Sequence, residues 1–346
     1  MLPEFQKFIT ASATGRRRMP SGKRITKGTL AQYQCVYKLL LDFESSADQQ
    51  PLYIPLHKRN SIRLLKKEKN YWERFFRQFS NYLYQTRKCY DQYAATVFRI
   101  IKTFFRFLAV DKALPVGDHY KKFRIPPEKF SPVIITPSQL RRLIIDKEFE
   151  AALSPSLQRT KDIFVFGCTV ALRYSDLMKL RTSHLQTGTD DTSLVLQTQK
   201  TGAKVRIPLP AYAIQIINKY RRKSGSHLLP QLSVTNINIQ LKELIKKAGW
   251  DQPLPRIRHR QGQPVEIRTV AGKTAKFYQH VTAHTMRRTA ITTLLMLGVD
   301  EATVRRISGH APGSREFYKY VVVVQDYLNS QVKAAHEKLI NEPLIC

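Results

Sequence analysis

The sequence is poor in cysteine and in long apolar runs, and each shortage excludes a class of protein. Its four cysteines (Cys35, Cys89, Cys168 and Cys346) lie far apart, without a Cys-x-x-Cys pair or a Cys/His ligand spacing. This distribution argues against structural zinc and fits a reducing compartment. No apolar run approaches the roughly 18 residues that a transmembrane helix needs. The first residues are not a charged leader followed by an apolar core, so we expect a cytoplasmic protein.

Acidic residues are also scarce, with 26 Asp and Glu against 58 Lys and Arg, which leaves a formal net charge of +32. The basic residues are spread along the whole chain rather than gathered in a tail. Such an excess is costly through self-repulsion unless a polyanion neutralises it, and nucleic acid is the usual partner. A protein bound to a membrane surface is less favoured, because no amphipathic Lys/Arg helix and no lipidation signal stand out.

At 346 residues the chain is long enough for two domains, each with its own core. Residues 1–25 contain GRRRMPSGKR, which is basic, punctuated by Gly and Pro, and without periodicity. We interpret this segment as a flexible arm that lies along a DNA backbone, the alternative being a disordered tail without a role. Its candidate DNA-binding residues are Arg16, Arg17, Arg18, Lys23 and Arg24.

Residues 26–115 predict a small, all-helical, basic domain. Aromatic and aliphatic residues recur at helical spacing, for example in WERFFRQF and VFRIIKTFF, and basic residues occupy the positions between them. The aromatic residues are therefore better explained as a core than as platforms for stacking bases. Lys66, Lys67, Arg99 and Lys102 are the candidate DNA contacts of this domain.

The segment 116–132 is rich in Pro and Lys and has no periodicity, so it predicts a linker. Thr136 follows shortly after it, with a proline next and a glutamine three residues on, as in a helix capping box. A second domain is therefore expected over residues 133–346. Its last segment, residues 325–341, has the pattern of an amphipathic helix that packs on its own domain or on a neighbour.

The second domain carries residue types suited to phosphodiester chemistry. Arg173 follows an apolar helix directly, and Lys200 lies at the tip of a predicted β-hairpin. Further on come His284-x-x-Arg287 in the first turn of a helix and His310 after a second helix. A guanidinium binds phosphate oxygens in a bidentate fork, and a phenol such as Tyr318 or Tyr320 can attack phosphorus to form a covalent ester. Each signal alone is weak, since surface arginines and hairpin lysines are common.

Taken in order, these motifs resemble the tyrosine recombinase, or phage integrase, family. ALRYSDL, QKTGAKVRIPL, HTMRRTAITTLLMLGVDEATVRRISGH and EFYKYVVV each resemble one of its conserved segments, and VIITPSQLRRLI resembles the usual opening of its catalytic domain. The sequences of these motifs are most similar to those of integrases of bacterial conjugative and mobilisable transposons. The resemblance is specific over residues 133–330 and looser over residues 26–115.

This resemblance implies a multidomain α+β protein. An all-helical, SAM-like core-binding domain would precede a mainly α catalytic domain with a small antiparallel sheet, the DNA breaking-rejoining enzyme fold. It also implies a bacterial, nucleoid-associated enzyme that needs no metal, ATP or other cofactor. Its partners would be double-stranded attachment-site DNA, three further copies of itself in a tetramer, and DNA-bending or directionality factors.

The resemblance also assigns roles to residues. Arg173 and Arg287 would clamp the scissile phosphate, His284 and His310 would contact it, and Asp176 would orient the arginines. Lys200 would be the general acid for the departing 5′-hydroxyl, and a tyrosine would form a 3′-phosphotyrosine intermediate. The complete recombination reaction would pass through a Holliday junction.

Two tyrosines compete for the role of nucleophile. Aligning EFYKYV with the family pattern favours Tyr320 over Tyr318, although the family spacing from His310 lies between the two. Ala171 stands where the family usually has glycine, and Asp176 where it has glutamate. The alternatives to a mobile-element integrase are a Xer-like recombinase that resolves chromosome dimers and a DNA-binding relic that does not cut.

Overall fold

The computed structural model describes residues 1–46, 51–55, 61–126, 132–189, 191–199, 202–221, 224–311 and 313–341. Within these ranges the chain is mostly helical, with two small antiparallel sheets, as expected. In chain order the elements are α1 (Leu2–Thr14), α2 (Lys27–Glu44), α3 (Ile62–Asn81), α4 (Asp91–Arg106), α5 (Pro137–Ile145), α6 (Lys147–Ala151), α7 (Pro155–Val170), α8 (Tyr174–Leu177), β1 (Leu185–Thr187), β2 (Thr192–Gln197), β3 (Lys204–Pro208), α9 (Ala211–Tyr220), α10 (Val234–Lys247), β4 (Ile257–Arg260), β5 (Gln263–Glu266), α11 (Phe277–His280), α12 (Ala283–Met296), α13 (Glu301–Ser308) and α14 (Arg315–Asn341).

The chain divides into two compact units. The first, the helical unit, comprises Met1–Phe130 together with Arg256–Ile267, and the second comprises Ser131–Pro255 with Arg268–Cys346. Each unit has its own apolar core among the described residues. No helix in the described part of the chain is both long enough and apolar enough to cross a membrane.

The helical unit is built around an aromatic core, as its sequence pattern predicts. Phe79, Phe98 and Phe104 have essentially no exposed surface, and Trp72 meets Phe105 edge to face at 4.9 Å between ring centroids. Such edge-to-face pairs add about 0.5–1.5 kcal/mol each to the free energy gained by burying their area. The candidate stacking platforms are therefore occupied within the protein.

The interpretation of residues 1–25 as a flexible arm was wrong for most of the segment. Residues 2–14 form α1, and Phe5 and Phe8 are completely buried, with Phe5 4.7 Å from Phe104 between ring centroids. The amphipathic spacing of its apolar residues, rather than the basic run that follows, decides the conformation. The remaining residues, 15–25, form an ordered turn.

The predicted linker at 116–132 was also wrong over its first half. Val116, Tyr120 and Phe123 are buried in the core of the helical unit, and a short 3₁₀ helix spans His119–Lys122. The buried carboxylate of Glu68 accepts the Gly117 backbone N–H at 3.0 Å, which holds the start of this segment. Residues 127–131 lie outside the described residues. The C-terminal helix begins at Arg315, ten residues earlier than predicted.

The second unit follows the sequence prediction closely at its start. Thr136 caps α5 through the Gln139 backbone N–H, and the Gln139 side chain accepts the Thr136 N–H in return, which completes the capping box. β1, β2 and β3 form one antiparallel sheet in that order, in which Leu194 pairs with Ile207. The predicted hairpin between residues 193 and 210 is therefore present, and its tip residues Lys200 and Thr201 lie outside the described residues.

The basic segment Arg256–Ile267 forms a β-hairpin, β4–β5, and belongs to the helical unit although it is far from the rest of that unit in sequence. The Asp91 carboxylate, which is 4% exposed, accepts the backbone N–H groups of Gln261 and Gly262 at the hairpin tip, each at 2.9 Å. The ring of Tyr90 contacts the guanidinium groups of Arg258 and Arg260 at 4.9 and 5.0 Å from its centroid. Gly262 has a φ of 76°, the left-handed region that glycine adopts without strain.

Replacing Asp91 by alanine should destabilise the helical unit by about 2 kcal/mol, because two N–H donors at the hairpin tip lose a charged acceptor. The measurement is the free energy of urea unfolding, together with the rate of tryptic cleavage after Arg258 and Arg260. Asp42→Ala is the matched control, since Asp42 forms an exposed pair with Arg87 at 3.6 Å. Equal effects of the two substitutions would contradict this account of the hairpin.

Candidate active site

Arg173 is placed by the break between two helices. α7 ends at Val170, and Ala171 adopts a left-handed conformation with a φ of 55°. This residue turns the chain sharply, so that Arg173 becomes the N-terminal cap residue of α8. The Arg173 Nη1 atom is buried and has no hydrogen-bond partner within the described residues. A buried guanidinium nitrogen without a partner is costly, and an anion would satisfy it.

Arg287 lies on α12 and is 2% exposed. Its Nη1 atom donates a hydrogen bond of 2.9 Å to the carbonyl oxygen of Ala171, and its Nη2 atom lies 3.1 Å from His310 Nε2. Burial, followed by the charge of Arg173, lowers the pKa of Arg287 to about 10. Two guanidinium groups thus share a partly desolvated site with positive charge in excess, which is an arrangement that favours a phosphate.

His310 follows the end of α13 and is fixed from both sides. Ser308 Oγ, which donates to the Val304 carbonyl at 2.7 Å, lies 2.8 Å from His310 Nδ1 and can accept a hydrogen bond from the Nδ1–H group. This leaves Nε2 as the acceptor for Arg287. Burial first, and then the charges of Arg287 and Arg173, lower the pKa of His310 to about 3. The imidazole is therefore neutral in the absence of an anion.

The two candidate nucleophiles lie in different environments on α14. Tyr320 is 7% exposed, and its ring lies 6.0 Å from that of His310 between centroids. Tyr318 is 49% exposed, and its ring lies 5.0 Å from the guanidinium carbon of Arg305. Tyr320 also lies close enough to Arg287 to raise the pKa of that guanidinium, against the larger lowering that burial causes. Of the two phenols, Tyr320 is the one that faces the buried arginine and the histidine.

Asp176 contacts the strand end that follows β2, and its charge raises the pKa of Arg287. It is 3% exposed, and its Oδ1 atom accepts the backbone N–H of Gln199 at 3.2 Å, while Oδ2 is buried and has no hydrogen-bond partner within the described residues. Gln199 is the residue immediately before Lys200. Lys200 itself lies outside the described residues. Asp176 nevertheless holds the chain at the point where Lys200 begins.

The structure thus brings Arg173, Asp176, Arg287, His310 and Tyr320 to one site. His284 is on the first turn of α12, exposed to solvent and close enough to His310 to lower its pKa. Sequence reasoning missed Ser308 and the carbonyl of Ala171. The tripeptide Ser-Gly-His was a signal for the first, whereas a backbone oxygen leaves no signal in a sequence.

The candidate DNA contacts of the helical unit lie on its surface. Arg99 and Lys102 line a cleft of about 810 Å³ with Arg106, Lys121 and Arg124, and its described lining residues include no carboxylate. Burial, and then the charge of Arg124, lower the pKa of Lys102. Lys66 and Lys67 are exposed on α3. Of the residues in the predicted arm, Arg16, Arg18, Lys23 and Arg24 are exposed and Arg17 is half-buried.

Comparison with known proteins gives a family match over most of the second unit and several solved structures with a similar fold. A model of the phage integrase family matches residues 134–323. Tyrosine recombinase XerA from Thermococcus kodakarensis (strain ATCC BAA-918 / JCM 12380 / KOD1) is 24% identical over 259 residues, covering 71% of this chain and 77% of the relative. A lambda integrase dimer bound to a core site has a TM-score of 0.58 at 14% identity, covering 92% of this chain and 94% of that one. The Tn1549 transposon integrase in complex with circular intermediate DNA has a TM-score of 0.52 at 14% identity, with coverages of 92% and 94%.

The low pKa of His310 should make folding sensitive to acid. The unfolded chain takes up a proton on this residue near pH 6.5, whereas the folded protein does so only near pH 3. The stability that neutral His310 contributes is therefore complete above pH 6.5 and is lost progressively as the pH falls below it. Unfolding free energies of wild type and His310→Gln should converge between pH 7.5 and 5. A constant difference over this range would argue against a neutral, buried His310.

Asp176→Ala should loosen the turn that carries Lys200, because the Gln199 N–H loses its acceptor. Hydrogen exchange at the Gln199 amide is expected to accelerate by about tenfold, which corresponds to roughly 1.4 kcal/mol. Asp191→Ala is the control, since Asp191 lies at the other end of β2 and pairs loosely with Arg206 at 3.8 Å. Unchanged exchange at Gln199 in Asp176→Ala would refute this role.

Proposed function

Because the chain belongs to the phage integrase family of tyrosine recombinases, we propose that it is the site-specific integrase of a mobile genetic element. The observation that carries this proposal is the convergence of Arg173, Arg287 and His310 with the buried phenol of Tyr320. Positive charge is in excess there, and a nucleophile faces it. A scissile DNA phosphate would complete the site.

The proposed reaction begins when Tyr320 Oη attacks the scissile phosphorus. An O–P bond forms to the 3′ side of the break, and the bond from phosphorus to the 5′ oxygen breaks. Arg173 and Arg287 offset the charge that develops on the non-bridging oxygens. Lys200 gives a proton to the departing 5′ oxygen, and His284 helps to accept the phenolic proton.

The second half of the reaction reverses the first. A free 5′-hydroxyl from the partner duplex attacks the 3′-phosphotyrosine and restores a phosphodiester, so the bond energy is conserved without ATP. Two such rounds pass through a Holliday junction. His310, neutral in the free protein, gains a favourable environment for its protonated form once a phosphate is bound, which suits it to donate a hydrogen bond to that phosphate.

The partners that we propose are double-stranded attachment-site DNA and further copies of the chain, up to a tetramer. The similar lambda integrase structure is a dimer on a core site, which supports self-association on DNA. The cation-lined cleft at Arg99 and Lys102, together with Lys66 and Lys67, is the proposed DNA contact of the helical unit. Helper or directionality factors belong to the same proposal.

A Xer-like recombinase that resolves chromosome dimers is the second candidate, because XerA is a detectable relative over most of the chain. The similarity to a transposon integrase favours the first candidate. The two differ in their DNA substrates: an integrase joins a circular element to a target, whereas a resolvase recombines two sites already on one circle. A relic that binds without cutting is disfavoured by the site residues that remain in place.

The decisive experiment uses nicked attachment-site DNA that traps the covalent intermediate. Wild type and Tyr318→Phe should form a covalent DNA adduct, and Tyr320→Phe should form none, since only Tyr320 faces Arg287 and His310. The measurement is the slowly migrating adduct on a denaturing gel, with DNA binding of each variant confirmed separately.

Loss of the adduct only in Tyr318→Phe would keep the family chemistry and overturn the choice of nucleophile. If none of the three proteins forms an adduct although each binds the DNA, the result would instead support the hypothesis of a relic that binds DNA without cutting it.

A further inference from the structure

The basic segment after α1 is an ordered turn rather than a free arm. The Arg17 N–H donates to the Ala11 carbonyl at 2.9 Å, which ties the segment back to α1. The Met19 N–H donates to Lys23, the Gly22 N–H donates to Met19, and Arg18 pairs with Arg24 as an isolated antiparallel bridge. We call residues Arg16–Arg24 the basic turn.

One arginine of the basic turn is used to hold it in place. The guanidinium carbon of Arg17 lies 4.7 Å from the ring centroid of Phe8 and 5.9 Å from that of Tyr33. Its Nη1 atom donates to Ser12 Oγ at 3.2 Å. Phe8, Tyr33 and Ser12 are all buried, so this side chain anchors the basic turn to the core of the helical unit.

The other four cations are exposed to solvent, and one of them, Arg18, also donates from Nη1 to the Gly22 carbonyl at 3.2 Å. Arg16, Arg18, Lys23 and Arg24 are exposed, and none of them forms an ion pair within the described residues. The sequence contains no Asp or Glu between Glu4 and Asp42, although eight Lys and Arg residues lie between them. Positive charge of this density, held on a rigid support and without internal compensation, favours a polyanion.

We propose that the basic turn is a second DNA contact of the helical unit, one that binds the phosphate backbone without reading sequence. The proposal rests on the proposed function, since it takes double-stranded DNA as the ligand. Ordering the turn before binding reduces the entropy lost when DNA is bound. A single bridge between Arg18 and Arg24 does not make the two-stranded ribbon that enters a major groove, which argues for the backbone rather than base edges.

The test replaces Arg18, Lys23 and Arg24 together by alanine and measures DNA affinity against salt. Three lost phosphate contacts should lower the slope of log K against log[salt] by about 2.7, at about 0.9 for each contact. Between 50 and 200 mM salt, the wild type should therefore lose affinity by about 40-fold more than the triple variant. The reduction should be the same on attachment-site DNA and on a random duplex of equal length.

The matched control is Lys242→Ala, Lys246→Ala and Lys247→Ala on α10, which removes the same charge from another exposed surface. If both triple variants change the slope equally, the effect is one of net charge and the proposal falls. A loss confined to attachment-site DNA would show base reading and would also overturn it. A wild-type slope for the basic-turn variant would refute the contact while leaving the covalent-adduct test of the proposed function untouched.

The anchor has a separate test. Arg17→Lys keeps the charge but removes the planar group that lies against Phe8 and Tyr33. The variant should keep the wild-type salt slope, bind both DNAs a few-fold more weakly, and be cleaved faster by trypsin within the basic turn. A lower slope in this variant would mean that Arg17 itself contacts phosphate, contrary to its assigned position.

Discussion

The burial of one cation, Arg287, is the constraint on which the candidate site depends. A guanidinium that is almost fully removed from water needs acceptors, and the structure supplies the Ala171 carbonyl and the His310 ring. The carbonyl is available because Ala171 turns the chain through a left-handed conformation. α12 can approach α7 closely because position 167 is glycine, where a Cβ atom would lie 2.5 Å from Met286 Sδ.

The same constraint explains why the site is incomplete without a ligand. Neither acceptor of Arg287 carries a negative charge, Arg173 adds a second guanidinium, and His310 remains neutral as a result. A bound phosphate would supply the missing charge and would favour the protonated form of the histidine. The negative charge of the bound DNA phosphate would therefore both hold the DNA at the arginines and change the protonation of His310.

Sequence reasoning succeeded where the signal is local. The capping box at Thr136 and the hairpin around residues 193–210 each depend on residues close together in the chain. It failed for α1 because the burial of Phe5 and Phe8 depends on partners such as Phe104 that are far away in sequence, whereas the adjacent basic run has the composition of a disordered segment. It also failed for Tyr120 and Phe123, whose burial depends on partners far away in sequence. The acceptor role of Ala171 belongs to a backbone atom, which no side-chain pattern reveals.

The docking of β4–β5 has a consequence for how this protein is divided or recombined with its relatives. A fragment that ends at residue 130 would contain the buried carboxylate of Asp91 but not the two N–H groups that satisfy it. A chimaera that exchanges only the N-terminal region would join one protein's Tyr90 and Asp91 to another protein's hairpin. The helical unit is discontinuous in sequence, so an exchange between relatives has to transfer residues 256–267 together with the helices that they contact.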